Sequence, residues 1–85
     1  MNSRALLLFP NPVHDLLNVR LNTPGSGKVL IVIYNEMGNR MQTIQIEKDQ
    51  WMIQTSIDVS RLAQGVYTLQ VLSGISTNSS RFIKL

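Results

Sequence analysis

Apolar residues in this chain recur at every second position, in short runs separated by turn-forming residues, and no stretch holds a helical period long enough for a packed helix. Side chains of period two stand on one face of a pleated strand. Trp51, Ile53, Thr55, Ile57 and Val59 alternate strictly with Met52, Gln54, Ser56 and Asp58. Leu17, Val19 and Leu21 give Leu16 to Leu21 one apolar face, and Tyr67, Leu69 and Val71 do the same between Thr68 and Gln70. Val29 to Tyr34 is apolar on both faces, which suits a central strand. Beyond the Asn35 to Asn39 loop, Arg40 to Glu47 is its antiparallel return, with Ile44 and Ile46 inward and Thr43, Gln45 and Glu47 in water. Leu6 to Leu8 and Arg81 to Leu85 are short strands at the two ends. Seven strands at spacings of about eight to twelve residues predict an all-β, immunoglobulin-like β-sandwich, with an incomplete Greek-key barrel as the alternative.

The breaks between the runs are as informative. Pro10 and Pro12 lack an N–H and bias the residues before them away from helix, so Phe9-Pro10-Asn11-Pro12 is expected to run extended, without ladder pairing, at a sheet edge or a crossing between sheets. Thr23 to Gly27 turns the chain, Lys48 to Gln50 is turn-like, and Ser73 and Gly74 end a run. Ser60 to Gln64 breaks the alternation; a single helical turn opened by Asp58 or Ser60 and ended by Gly65 is expected there.

Composition bounds the rest. With 85 residues the chain builds one core and one domain, 1–85, and a large enzyme is excluded. Val, Ile and Thr number 20 against two alanines, which favours sheet over helix. Only 15% of residues are charged, and 26 Ser, Thr, Asn and Gln cover the surface instead, a balance that suits an exported protein. Cysteine is absent, so disulfides and thiolate chemistry are excluded and stability rests on packing. The net charge of +3 comes from eight dispersed cations without interleaved aromatics, which excludes a nucleic-acid footprint. Ala5 to Phe9 is too short for the apolar region of a signal peptide, and Val29 to Tyr34 is too short to span a membrane. These features are expected of a piece cut from the C-terminal end of a longer precursor.

Catalytic constellations are not assembled by the sequence. His14 is the only histidine, and no nucleophile elbow selects a serine to join it and Asp58 in a triad. Glu47 and Asp49, the only acids close in sequence, fall in a solvated turn, which makes glycosidase chemistry improbable. No calcium loop, histidine pair or phosphate-binding glycine loop is present, so no enzyme, cofactor or resident metal is expected, and only weak calcium binding by loop Asp and Asn stays open. Tyr67, after Leu62 and Gly65, has the placement of a tyrosine corner, whose phenol bonds an upstream backbone group. Trp51 reads as a core or rim side chain, with sugar stacking as the alternative.

Four segments, taken together, resemble the type A C-terminal sorting domain of the type IX (Por) secretion system of Bacteroidetes. They are Phe9-Pro10-Asn11-Pro12 with Asp15 to Val19, then Ile33 to Asn39, then Ile57 to Val71, and finally Arg81 to Leu85. Pro10, Asn11 and Pro12 match that family's first motif, Asp58, Leu62, Gly65, Val66 and Tyr67 its second, and Phe82, Ile83, Lys84 and Leu85, with Arg81 beside them, its tail. Asn35 departs from the more usual Asp, and Asn39 from the Lys or Arg that commonly follows the glycine. The resemblance implies a non-enzymatic signal at the end of a covalently linked cargo, exported through the periplasm to the outer-membrane surface or the medium. It also implies recognition by translocon components and a sortase-like peptidase that removes the domain.

A physical route for such a signal is an exposed last strand. Arg81 and Lys84 beside Phe82, Ile83 and Leu85 would offer a receptor both backbone and side chains, and deleting residues 81–85 should abolish export while leaving the domain folded. Homodimers through edge strands are open to the same geometry. The competing expectation is an immunoglobulin- or fibronectin-like accessory module that binds carbohydrate through Trp51 or spaces domains in a secreted enzyme.

Overall fold

Seven strands form in the computed structural model, which describes residues 6–22, 27–48, 52–74 and 76–85. The strands are β1 (Leu7–Phe9), β2 (Leu16–Asn22), β3 (Gly27–Asn35), β4 (Arg40–Lys48), β5 (Met52–Asp58), β6 (Gly65–Ser73) and β7 (Ser76–Lys84). They pair antiparallel in two sheets, β1-β2-β5 and β4-β3-β6-β7. This is the expected immunoglobulin-like sandwich. Its fourth strand lies beside β3, whereas the constant immunoglobulin type places that strand with the first, second and fifth.

Alternation decides what each sheet buries. Leu17, Val19 and Leu21 of β2 and Ile53 and Ile57 of β5 meet Val29, Ile31 and Ile33 of β3, Leu69 and Val71 of β6, and Phe82 of β7 in one core cluster, with Ile44 and Ile46 of β4 packed against it. Burying one such side chain stabilises the fold by about 1.5–3 kcal/mol. With no disulfide to restrict the unfolded chain, this layer holds the sheets together.

Three local expectations are corrected. Residues 10–12 bend instead of running extended, with the Phe9–Pro10 and Asn11–Pro12 peptide bonds both cis, although the segment does cross between the sheets. Ser60 to Gln64 holds a single hydrogen-bonded turn, Leu62 N–H donating to Val59 O at 3.0 Å, and no helix; Gly65 opens β6 at φ +157° instead of ending a helical turn. The last strand begins at Ser76, five residues before Arg81, because Ser76 to Ser80 continue the ladder on β6 that follows the turn at Gly74. The antiparallel return along β4 forms as expected and carries one extra residue, Met41, where the register shifts between Ile33 and Tyr34. Trp51 lies outside the described residues, as does most of the Lys48 to Gln50 turn.

Candidate functional site

The last strand lies at the edge of its sheet, pairing with β6 on one side. In an antiparallel strand, alternate residues direct their N–H and C=O to opposite sides. Phe82 and Lys84 turn theirs toward β6, so Arg81, Ile83 and Leu85 turn theirs outward. That outer side is closed by the proline segment. Asn11 Oδ1 accepts from Ile83 N–H at 2.9 Å, and Asn11 Nδ2 donates to Arg81 O at 3.2 Å. Val13 N–H donates to Ile83 O at 2.8 Å, and Leu85 N–H donates to Val13 O at 2.9 Å, a short parallel bridge opposite Lys84. Pro10 and Pro12 have no N–H to offer, so the Asn11 side chain supplies both bonds itself.

The proline segment is anchored in turn. Asn18 Nδ2 donates to Phe9 O at 3.0 Å, and Ser56 Oγ donates to Asn18 Oδ1 at 2.7 Å. Farther along, Val59 N–H donates to Asp15 O at 2.8 Å, which ties the chain after the prolines to the start of the next motif. Asp58 Oδ1 accepts from Ser60 N–H at 2.9 Å and holds the turn, within which Leu62 is buried. The Ser60 hydroxyl and N–H, with a smaller effect of Arg61, hold the exposed Asp58 carboxyl below its ordinary value.

Tyr67 closes the constellation. Its hydroxyl donates to Ala63 O at 2.6 Å, the tyrosine corner expected from the sequence. Its ring stacks on Phe82, centroids 5.5 Å apart and planes 19° apart. Gly65, Val66 and Tyr67 stand directly opposite Lys84, Ile83 and Phe82 in the ladder. The three sequence motifs, far apart in the chain, are therefore one contiguous structure.

Comparison with known proteins identifies what this structure belongs to. The model of the "Secretion system C-terminal sorting domain" family matches residues 7–85. The chain belongs to that family, the C-terminal sorting domains of type IX secretion. Among solved structures, "Crystal structure of dimeric latent PorU from Porphyromonas gingivalis" is similar at a TM-score of 0.71 and 20% identity, over 94% of this chain. The matched span is 9% of that PorU chain, and at this identity the likeness is one of fold. No curated protein matches.

In this sorting domain the tail is not a free strand end, which corrects the expected docking mode. The outward backbone of Arg81 and Ile83 is already bonded, Phe82 is 0% exposed in the core, and Lys84 is 6% exposed with Nζ donating to Leu85 O at 2.7 Å. A receptor cannot add a strand along 81–85 without first displacing Asn11 and Val13. Phe82 is part of the core that loss of the tail would empty, and removing a buried aromatic costs about 3–5 kcal/mol, comparable with much of a small domain's stability. What the tail shows to solvent is the side chains of Arg81, Ile83 and Leu85.

Other candidates separate from this structure. His14 is exposed, and among the described residues no three His, Asp or Glu side chains gather as metal ligands. No helix among the described residues is long and apolar enough to cross a membrane. Val13 and Asn18 were not singled out from the sequence. The only hint was the flanking of Asn11 by two residues that cannot donate, which leaves the bonding of the next strand to side chains and neighbours. Asn35, one departure from the family pattern, keeps the role of an acid: Oδ1 accepts from Met37 N–H and Asn39 N–H, both at 2.9 Å, and fixes the β3–β4 turn.

Proposed function

We propose that the folded domain, and not a linear tail, is the export signal recognised by the type IX outer-membrane translocon, and that it carries a cargo joined to its N-terminal side to the cell surface or the medium. The observation supporting this reading is the convergence of the three motifs. Pro10, Asn11 and Pro12 bond the backbone of Arg81 and Ile83, while Gly65, Val66 and Tyr67 pair with Phe82, Ile83 and Lys84 from the other side. Asp58 and Leu62 hold the turn that sets Tyr67 in place. In this reading most motif residues build the tail's surroundings, and few touch the translocon. Removal of the domain by a sortase-like peptidase would act before β1, so that the seven described strands stay together.

The test is a fluorescent reporter with a periplasmic leader, fused at its C-terminus to residues 1–85 and expressed in a type IX-competent bacterium. Surface or medium fluorescence that the unfused reporter lacks is expected. Phe82→Ala, which empties the core beside Tyr67, should lose that export. Export of Phe82→Ala at the wild-type level, with the purified domain unfolded, would sink the claim that the fold is the signal.

A further inference from the structure

Among the described residues one charged side chain is buried. Lys84 is 6% exposed, whereas every other charged side chain whose burial is described is exposed. Strand alternation puts it there: Lys84 shares the inward face of β7 with Phe82, while Arg81 and Ile83 take the outward one. Its neighbours offer no counter-charge. Gly65, directly opposite in β6, has no side chain, and Val13, which bridges to Lys84 from the other side, is apolar and buried. No described Asp or Glu forms an ion pair with it.

Among the described residues the Lys84 ammonium makes one hydrogen bond, Nζ donating to Leu85 O at 2.7 Å. That length lies at the short end of the range for an N–H donor and is the length of a charge-assisted bond. The Leu85 backbone is held in place for it, since Leu85 N–H donates to Val13 O at 2.9 Å. Burying an ammonium costs more than a single neutral acceptor returns, and a carboxylate is the partner that offsets the cost. In a chain that continues past residue 85, Leu85 O is a neutral peptide carbonyl. In a chain that stops there, it is one oxygen of a carboxylate.

We infer that Lys84 is a carboxylate-binding residue that reads a chain end at Leu85: it stabilises the closed tail when residue 85 carries a free α-carboxylate, and less when residue 85 carries a further peptide bond. Leu85 is 44% exposed, so the site discriminates by charge and not by burying the end of the chain. The contact lies beside the bonds through which Asn11 and Val13 close the edge of β7, so it secures the same strand at its last residue. This goes beyond the sorting reading above and does not rest on it, because closure of the tail is a property of the domain alone.

Thermal melting of the purified 85-residue chain and of its C-terminal carboxamide tests this, because amidation keeps the oxygen as an acceptor and removes the charge. Near neutral pH the carboxamide should melt about 4 °C or more below the free acid. In a Lys84→Met background, which keeps an unbranched apolar stem without the ammonium, acid and carboxamide should melt within about 2 °C of each other. Lys84→Gln serves the same comparison should Lys84→Met not fold. Acid and carboxamide melting alike with Lys84 in place would overturn the reading and leave Lys84 an apolar stem with its head in water. A gap of the same size with and without Lys84 would overturn it as well, since the carboxylate would then be acting through another group.

Discussion

Asn11 stands in for a neighbouring strand at Ile83, 72 residues away: its Oδ1 accepts the Ile83 N–H at 2.9 Å while its Nδ2 reaches Arg81 O. Two such bonds contribute about 1–3 kcal/mol together. Asn11→Ala should therefore lower the melting temperature by several degrees, at about 4–8 °C per kcal/mol for a domain of this size. Asn11→Asp discriminates further, because it keeps the acceptor for Ile83 but sets a second oxygen against Arg81 O; it should melt no higher than Asn11→Ala. Melting within a degree of wild type for both would show that the clasp contributes nothing.

Tyr67 makes two separable contributions. Tyr67→Phe keeps the stack on Phe82 and removes only the bond to Ala63 O, so a loss of about 0.5–1.5 kcal/mol is expected. Phe82→Ala should cost about 3–5 kcal/mol. Urea unfolding of the two variants measures both, and equal losses would contradict this division.

The Asp58 carboxyl is held below its ordinary value of 3.8 by Ser60, chiefly through the hydroxyl and then the N–H. A depressed folded-state value means that its contribution is fully present above the unfolded value and is lost as pH falls through the folded one. The melting temperatures of wild type and Asp58→Asn should therefore differ by a constant amount above about pH 5 and converge as the solution is acidified below the carboxyl range. The comparison isolates Asp58, since every other carboxylate titrates in both proteins. A gap that widens toward acid would refute the assignment.

At the β3–β4 turn, Asn35 Oδ1 accepts two N–H groups and Gly38 has φ +84°. Asn35→Asp should preserve or raise stability, because a carboxylate accepts the same bonds with charge assistance. Asn35→Ala should cost about 1–3 kcal/mol, and Gly38→Ala about 1–2 kcal/mol from its left-handed backbone, although no atom lies within 4 Å of the added Cβ. Thermal melts of the three variants check the order.

Much of this sandwich is legible as a one-dimensional pattern, because side chains of period two have only one way to share a face. Leu17, Val19 and Leu21, Ile53 and Ile57, and Tyr67, Leu69 and Val71 all turn inward as their alternation requires. The tyrosine corner follows from local spacing for the same reason: Tyr67 and Ala63 are four residues apart. Where alternation carries no polarity contrast the pattern fails. Ser76-Thr77-Asn78-Ser79-Ser80 is polar at every position, and its strand exists because β6 supplies a ladder to complete.

The candidate site divides along the same line. The chain's own residues determined which segments are motifs, that Tyr67 is placed for a tyrosine corner, and that no thiol chemistry is available. Only the tertiary structure decided that the last strand is closed, since the closing groups are one side-chain amide and one backbone bridge contributed by residues some seventy positions away. It likewise decided that Arg81 and Ile83 face outward while Phe82 and Lys84 are buried. Alternation fixes that neighbouring residues take opposite faces, but which face meets the core is set by the sheet packed against it.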